Sequence, residues 1–284
     1  MNKLLVIGAN SFVGKYLVED LQKKYDVVGT YHNKKNPSIK DQVRLDITNI
    51  QNVLYVLEKI KPDLIIVLSA ISSTKEPKEK IYNINVDGVS NIISGIEELK
   101  INPKVIFFST DQIFDGNKGL YSEKDAPNPI NDYGKSKLEG EKVIRNYSNH
   151  LILRLSQIIG NKRKGDHNNF VTMFLESKGD LKIFNNVYRT PIYVKDIGSI
   201  ISELILNDQR GIINLASDSY LSYLEMAQGI ENVFHCKKNY DVVECTNESI
   251  PKKLGLSNKL LKKISNIKLT DFHDMLIDMK KGDL

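Results

Sequence analysis

Lys3-Leu4-Leu5-Val6-Ile7-Gly8-Ala9-Asn10-Ser11-Phe12-Val13-Gly14 is the stretch on which the fold turns. Four consecutive apolar residues, Leu4 to Ile7, read as a buried strand, and a glycine follows at once. The run from Phe12 to Lys23 reads as a helix, so the segment predicts strand, tight turn and helix in immediate succession. In that context Gly8 and Gly14 allow a close backbone approach, and the start of the helix presents amides to an anion. Ser11 stands at the middle position of the G-x-x-G-x-x-G spacing, one small side chain away from glycine. The turn is read as a dinucleotide cradle formed by Gly8, Asn10, Ser11, Phe12, Val13 and Gly14.

Outward from this unit the alternation repeats. Strands are predicted at 3–7, 26–30, 43–46, 64–68, 104–109 and 151–155, with helices at 12–23, 50–60, 79–99 and 133–147 between them. Strands spaced by helical crossovers imply a parallel sheet covered on both faces, a Rossmann-type, doubly wound α/β fold whose ligands sit at the carboxyl ends of the strands. After about residue 156 the pattern loosens into a smaller α/β portion. Helices are predicted there at 170–176 and 194–206, a strand at 211–215 and two late helices, one of them opened by a capping box from Ser222 to Glu225. The expected division is a dinucleotide-binding domain over 1–155 and a mainly substrate-binding portion over 156–284.

The second strand leads into Tyr31-His32-Asn33-Lys34-Lys35, with no Asp or Glu to accept from an adenosine ribose. NADP(H) is therefore preferred, NAD(H) remaining open, with His32, Lys34 and Lys35 as partners for a 2'-phosphate. Asp46 is read either as an adenine contact or as a cap for the helix after Thr48. Ile47 beside it, and Ser69 and Ala70 after the fourth strand, complete the cofactor candidates.

Catalysis is assigned by position. Three Tyr/Lys pairs occur at i,i+4, namely Tyr31/Lys35, Tyr55/Lys59 and Tyr133/Lys137, so the spacing alone decides nothing. Only Tyr133/Lys137 follows the fifth strand, whose end carries Ser109-Thr110-Asp111. Hydride delivered to a carbonyl carbon leaves an alkoxide unless an acid gives a proton. A phenol with pKa near 10 serves when a cation lies beside it. Tyr133 is thus the expected acid, Lys137 the cation and Thr110 a hydrogen-bond donor to the reacting oxygen.

Composition removes other classes. A formal net charge of +5, from 40 basic against 35 acidic residues scattered along the chain, gives no nucleic-acid footprint. No apolar run approaches the roughly 20 residues of a membrane span, and no targeting segment is visible at the N-terminus. Cys236 and Cys245 are nine apart, a spacing of neither zinc nor redox sites, and so few thiols suit a reducing, cytoplasmic setting. The five histidines show no metal-ligand spacing, and no metal is expected.

The run Phe108-Ser109-Thr110-Asp111-Gln112-Ile113-Phe114-Asp115-Gly116, followed by Asn131-Asp132-Tyr133-Gly134-Lys135-Ser136-Lys137-Leu138-Glu139-Gly140-Glu141, resembles the dTDP-4-dehydrorhamnose reductase family, nucleotide-sugar reductases of the extended short-chain dehydrogenase/reductase type. The likeness extends to the glycine turn, Pro62-Asp63, Asn85, Arg154, Asn168-Asn169-Phe170-Val171 and Thr190-Pro191. It implies a cofactor site on Gly8, Ser11, Gly14 and Asn85, the catalytic set Thr110, Tyr133 and Lys137, and a substrate lobe in the second half.

Two departures bear on the substrate. The aromatic-rich segment that the family often has after Arg154 is here Leu155-Ser156-Gln157-Ile158-Ile159-Gly160. Ile250-Pro251 stands where the family has Arg-Pro, which leaves Lys252 or Lys253, with Arg189 next, to meet a diphosphate. Asp111, Gln112 and Asn169 are the remaining substrate-binding candidates. Related dehydratases carry Asp then Glu after the Thr; an amide at Gln112 cannot exchange a proton, which favours reduction over elimination.

The expected activity is reduction, at C4, of a nucleotide-linked keto sugar in surface polysaccharide synthesis. An epimerase and a non-catalytic regulatory subunit like that of methionine adenosyltransferase are the alternatives. The expected partner is the nucleotide sugar, and a homodimer is left open.

Overall fold

The computed structural model describes residues 2–72, 76–163 and 165–282. In chain order its first half comprises β1 (Lys3–Ile7), α1 (Phe12–Leu21), β2 (Asp26–Tyr31), β3 (Gln42–Arg44), α2 (Ile50–Ile60), β4 (Leu64–Val67), α3 (Lys78–Tyr82), α4 (Gly88–Glu98), β5 (Lys104–Thr110), α5 (Asp132–Arg145) and β6 (His150–Leu155). The rest comprises β7 (Ile158–Ile159), α6 (Phe170–Glu176), β8 (Leu181–Phe184), β9 (Tyr188–Arg189), β10 (Ile192–Tyr193), α7 (Val194–Leu206), β11 (Gly211–Leu215), β12 (Leu221–Ser222), α8 (Tyr223–Phe234), β13 (Tyr240–Val243), α9 (Lys259–Ile264) and α10 (Phe272–Lys281).

Seven strands form a parallel sheet in the order β11-β6-β5-β4-β1-β2-β3. The reversal of strand order beside β1 is the switch point of a doubly wound fold, where ligands bind. β4 and β5 are buried at every residue, as strands covered on both faces must be. Leu5, Ile7, Val67 and Phe107 of the sheet pack with Val53 and Val56 of α2, Ile92 and Ile96 of α4 and Ile144 of α5 in one apolar cluster.

The chain divides into two compact units that are not contiguous in sequence. One holds residues 1–110, 131–154 and 201–213, the other 111–130, 155–200 and 214–284. The single boundary expected at residue 155 is thus replaced by several crossings, because β11 returns to the central sheet and 111–130 leaves it. The second unit has its own core, in which Phe170 and Phe174 of α6, Met226 and Ile230 of α8 and Met275, Leu276 and Met279 of α10 meet. The Ser222–Glu225 capping box is present at α8.

Two expectations change in form. The helix expected over 79–99 is interrupted by a π-turn at Asn83–Asp87 that buries Asn85. Three late helices appear instead of two, and β7 to β10, β12 and β13 are added, each of two to four residues, too short to show a period in the sequence. Among the described residues, no helix is long and apolar enough to cross a membrane.

Candidate active site

The glycine turn takes its shape from two contacts. Gly8 has φ +90°, and a Cβ on Gly14 would lie 2.4 Å from the Gly8 carbonyl oxygen, so side chains are excluded at both. Ser11 caps α1 by accepting from the Gly14 amide at 3.1 Å. The first-turn amides at Phe12 and Val13 have no carbonyl behind them in the helix, which leaves them to an anion. Thr30, at the end of β2, accepts from the Gly8 amide at 3.1 Å and locks the turn to the sheet, a role unreadable from the sequence. Asn10 donates to the Lys34 carbonyl at 2.7 Å, while its Oδ1 is buried without a hydrogen-bond partner.

The loop after β2 is arranged differently from its expected use. Lys34 and Lys35 are exposed, and the Lys35 ammonium lies over the Tyr31 ring. His32 instead faces Asp46, Nε2 to carboxylate at 3.5 Å, so a carboxylate already occupies the ring meant for a phosphate. Asp46 lies past the end of β3. Its Oδ1 accepts from the Thr48 hydroxyl at 2.7 Å and the Thr48 amide at 3.0 Å, and that hydroxyl, above all, holds Asp46 below the usual carboxylate range. The cap of α2 is Asn49, not Asp46. Arg44, overlooked in the sequence because it closes a three-residue strand, is exposed, and its Nε donates to the His32 carbonyl at 3.3 Å.

Three further cofactor candidates make contacts within the protein. Ile47 is buried against Gly88, and its carbonyl accepts from Asn91. The Asn85 carboxamide is spent on protein: Oδ1 accepts from the Ile71 amide at 2.8 Å, and Nδ2 donates to the Ile71 carbonyl and to Ser136 Oγ at 2.9 Å. Asn85 therefore ties Ile71 to Ser136 of α5. Ser69 itself abuts the turn, its amide 3.0 Å from where a Gly8 Cβ would stand.

Thr110 ends β5 and is buried. Asn131 caps α5 through the Gly134 amide at 2.8 Å, which sets Tyr133 and Lys137 on its first turns, one above the other. Tyr133 is half-buried and Lys137 is 2% exposed. The Lys137 ammonium lies 3.9 Å from the Phe107 ring centroid. Burial brings its pKa down from 10.5 to about 7, against the opposing charge of Glu141.

The substrate candidates fall in the second unit, except Thr110. Asp111 is buried and accepts from Ser156 Oγ at 2.7 Å, and Ser156 in turn accepts from the Thr190 amide. Asn169 caps α6, and its amide donates to the Gly160 carbonyl at 2.6 Å. Both residues brace loops. Gln112 is half-buried. Lys253 is exposed, and Lys252 offers its carbonyl to Arg189 Nη1 at 3.2 Å. Arg189 is 8% exposed, lies over the Tyr223 ring and has no carboxylate partner among the described residues.

A model of the RmlD substrate binding domain family matches residues 1–280. The chain belongs to that family. Its fold and enzyme class are those of the NAD(P)-dependent reductases of the extended short-chain dehydrogenase type. The dTDP-4-dehydrorhamnose reductase of Aggregatibacter actinomycetemcomitans is 30% identical over 81% of this chain and 78% of its own. Methionine adenosyltransferase 2 subunit beta of Danio rerio is 26% identical over 84% of this chain and 76% of its own. The crystal structure of Bacillus anthracis dTDP-4-dehydrorhamnose reductase in complex with NADP superimposes with a TM-score of 0.86 at 25% identity, covering 100% of both chains. In this RmlD-family chain Thr110 ends β5, and Tyr133 and Lys137 lie on α5.

Proposed function

We propose that this chain reduces a keto group, at C4, of a nucleotide-linked sugar, with NADPH as the reductant. The observation that carries the reading is the buried Lys137 one turn from Tyr133 on α5, directly after the strand that ends in Thr110. The residues fit a dinucleotide. The glycine turn leaves room for a backbone, and the buried Asn10 Oδ1 lacks a donor that a bound nucleotide would supply. Gly8, Ser11, Phe12, Val13 and Gly14 would hold the pyrophosphate, and Arg44 with Lys34 and Lys35 the 2'-phosphate.

When bound, the dihydronicotinamide supplies a hydride to the carbonyl carbon. Tyr133 gives its phenolic proton to the carbonyl oxygen, which becomes the hydroxyl of the product. The Lys137 ammonium favours the phenolate that remains. Thr110 donates a hydrogen bond to the same oxygen. Arg189, buried and without a carboxylate partner among the described residues, is suited to the diphosphate of the sugar nucleotide.

Similarity to the beta subunit of methionine adenosyltransferase supports a second reading, a regulatory chain. NADPH oxidation assayed across dTDP-, UDP-, GDP- and CDP-linked 4-keto sugars separates the two. Turnover with one of them supports the reductase. Absence of turnover together with co-purification of a partner enzyme supports the regulatory chain, and epimerisation with no net NADPH consumption supports an epimerase.

A further inference from the structure

Beneath α5 the first unit buries a charged group that the proposed chemistry does not use. Glu141, 0% exposed, accepts two hydrogen bonds from Arg154 of β6, from Nε to Oε1 at 3.0 Å and from Nη2 to Oε2 at 2.8 Å. A third comes from Ser109 Oγ at 2.6 Å, on β5 beside Thr110. Arg154 is itself 1% exposed. Burying such a pair forfeits the hydration of two ions, and well-packed apolar residues commonly serve stability as well or better. A fold needing only packing here would have no use for this charged pair, so the position of Glu141 along the helix is informative. Glu141 stands four residues after Lys137, on the same helix face and one turn deeper.

We propose that Glu141 is a positioning residue whose carboxylate, clamped by Arg154 and Ser109, keeps Lys137 in its ammonium form. The inference rests on the role given to Lys137 above. Removal of Lys137 from water favours the neutral amine, and among the described residues the charge opposing this is that of Glu141. Around Lys137, β5 offers the uncharged Phe107 ring and the π-turn contributes the neutral Asn85, bonded to Ser136; Tyr133 shares the helix face, and β6 brings Arg154 only by way of Glu141. Arg154 also tempers it: by neutralising part of the carboxylate's field it limits how far the amine is held charged.

The two partners should therefore move Lys137 in opposite directions, which a merely structural clamp would not do. The test is a titration of the Lys137 ε-carbon by NMR in the full-length protein labelled with carbon-13 lysine, with Lys137 assigned by its absence in Lys137→Met. Glu141→Gln is expected to lower the midpoint by about one pH unit or more, a tenfold loss of ammonium per unit. Arg154→Gln is expected to raise it. Midpoints within about 0.3 unit of the parent in both folded variants would overturn the proposal. So would loss of fold in both, which would make the pair a structural clamp. If only Glu141→Gln fails to fold, the direction of the Arg154→Gln shift decides, up in support and unchanged or down against. The titration uses neither substrate nor cofactor, so a failed reductase assay and a failed titration remain distinct results. With a substrate in hand, the alkaline limb of kcat/KM should move in parallel.

Discussion

The Lys137 ammonium rests on the face of the Phe107 ring, 3.9 Å from its centroid, with 2% of the residue exposed. A ring face attracts a cation but does not replace its lost water. The folded-state pKa of about 7 lies below the ordinary 10.5, so protonation disfavours the folded state, and stability falls as pH drops from 10.5 toward 7. Lys137→Met removes this burden and leaves Glu141 with Arg154. It should stabilise the protein by about 1 to 4 kcal/mol at neutral pH. The gain should vanish above pH 10.5, as thermal melts at several pH values would show, while turnover is lost.

Tyr133→Phe keeps the ring and deletes the proton donor. Fold and NADPH affinity should survive, and kcat should fall by roughly 10²- to 10⁴-fold. Turnover within about threefold of the parent on a confirmed keto-sugar would remove Tyr133 as the acid.

Cofactor preference should follow the cations at the ends of β2 and β3. NADPH is expected to bind more tightly than NADH, and Arg44→Ala should weaken NADPH alone, by about 1.5 to 3 kcal/mol. Lys34→Ala with Lys35→Ala should act in the same direction but less, since both side chains are exposed. Calorimetric titration of both cofactors checks this. Equal losses for NADH would place the cations elsewhere.

Arg189→Ala should raise KM for the nucleotide sugar more than it lowers kcat, with a loss of about 2 kcal/mol or more, because the guanidinium is buried and has no carboxylate of its own. Lys253→Ala should change KM little, its side chain being exposed. Steady-state kinetics on the two variants ranks them.

Gly140→Ala probes the packing that seats α5. The added Cβ would lie 2.8 Å from the Asn85 carbonyl oxygen and 3.1 Å from Phe107 Cζ, with backbone on one side unable to yield. Destabilisation of about 1 to 3 kcal/mol is expected from chemical denaturation, together with reduced activity as α5 is pushed off β5.

What the sequence by itself determined is local. The glycine turn after β1, the bounds of α2, α6, α7 and β11 and the Ser222 capping box are legible because turn chemistry, capping and hydrophobic period act over a few residues. The placement of the proposed catalytic residues was legible for the same reason, since Tyr133 and Lys137 share one helix and Thr110 ends the strand before it. Which side chains are spent on one another was decided only by the tertiary structure. Asn85 meets Ser136 across 51 residues, Asp111 meets Ser156 across 45, and His32 turns to Asp46, so residues of suitable type for ligands also bond within the protein. In a parallel sheet, neighbours in space are a full crossover or more apart in the chain. Their pairing follows from strand order and burial, which no window of sequence contains. The clamp of Glu141 by Arg154 and Ser109 is of this kind: β5, α5 and β6 each contribute one of the three, and only their packing brings them together, whereas the spacing of Glu141 from Lys137 is set by α5 itself.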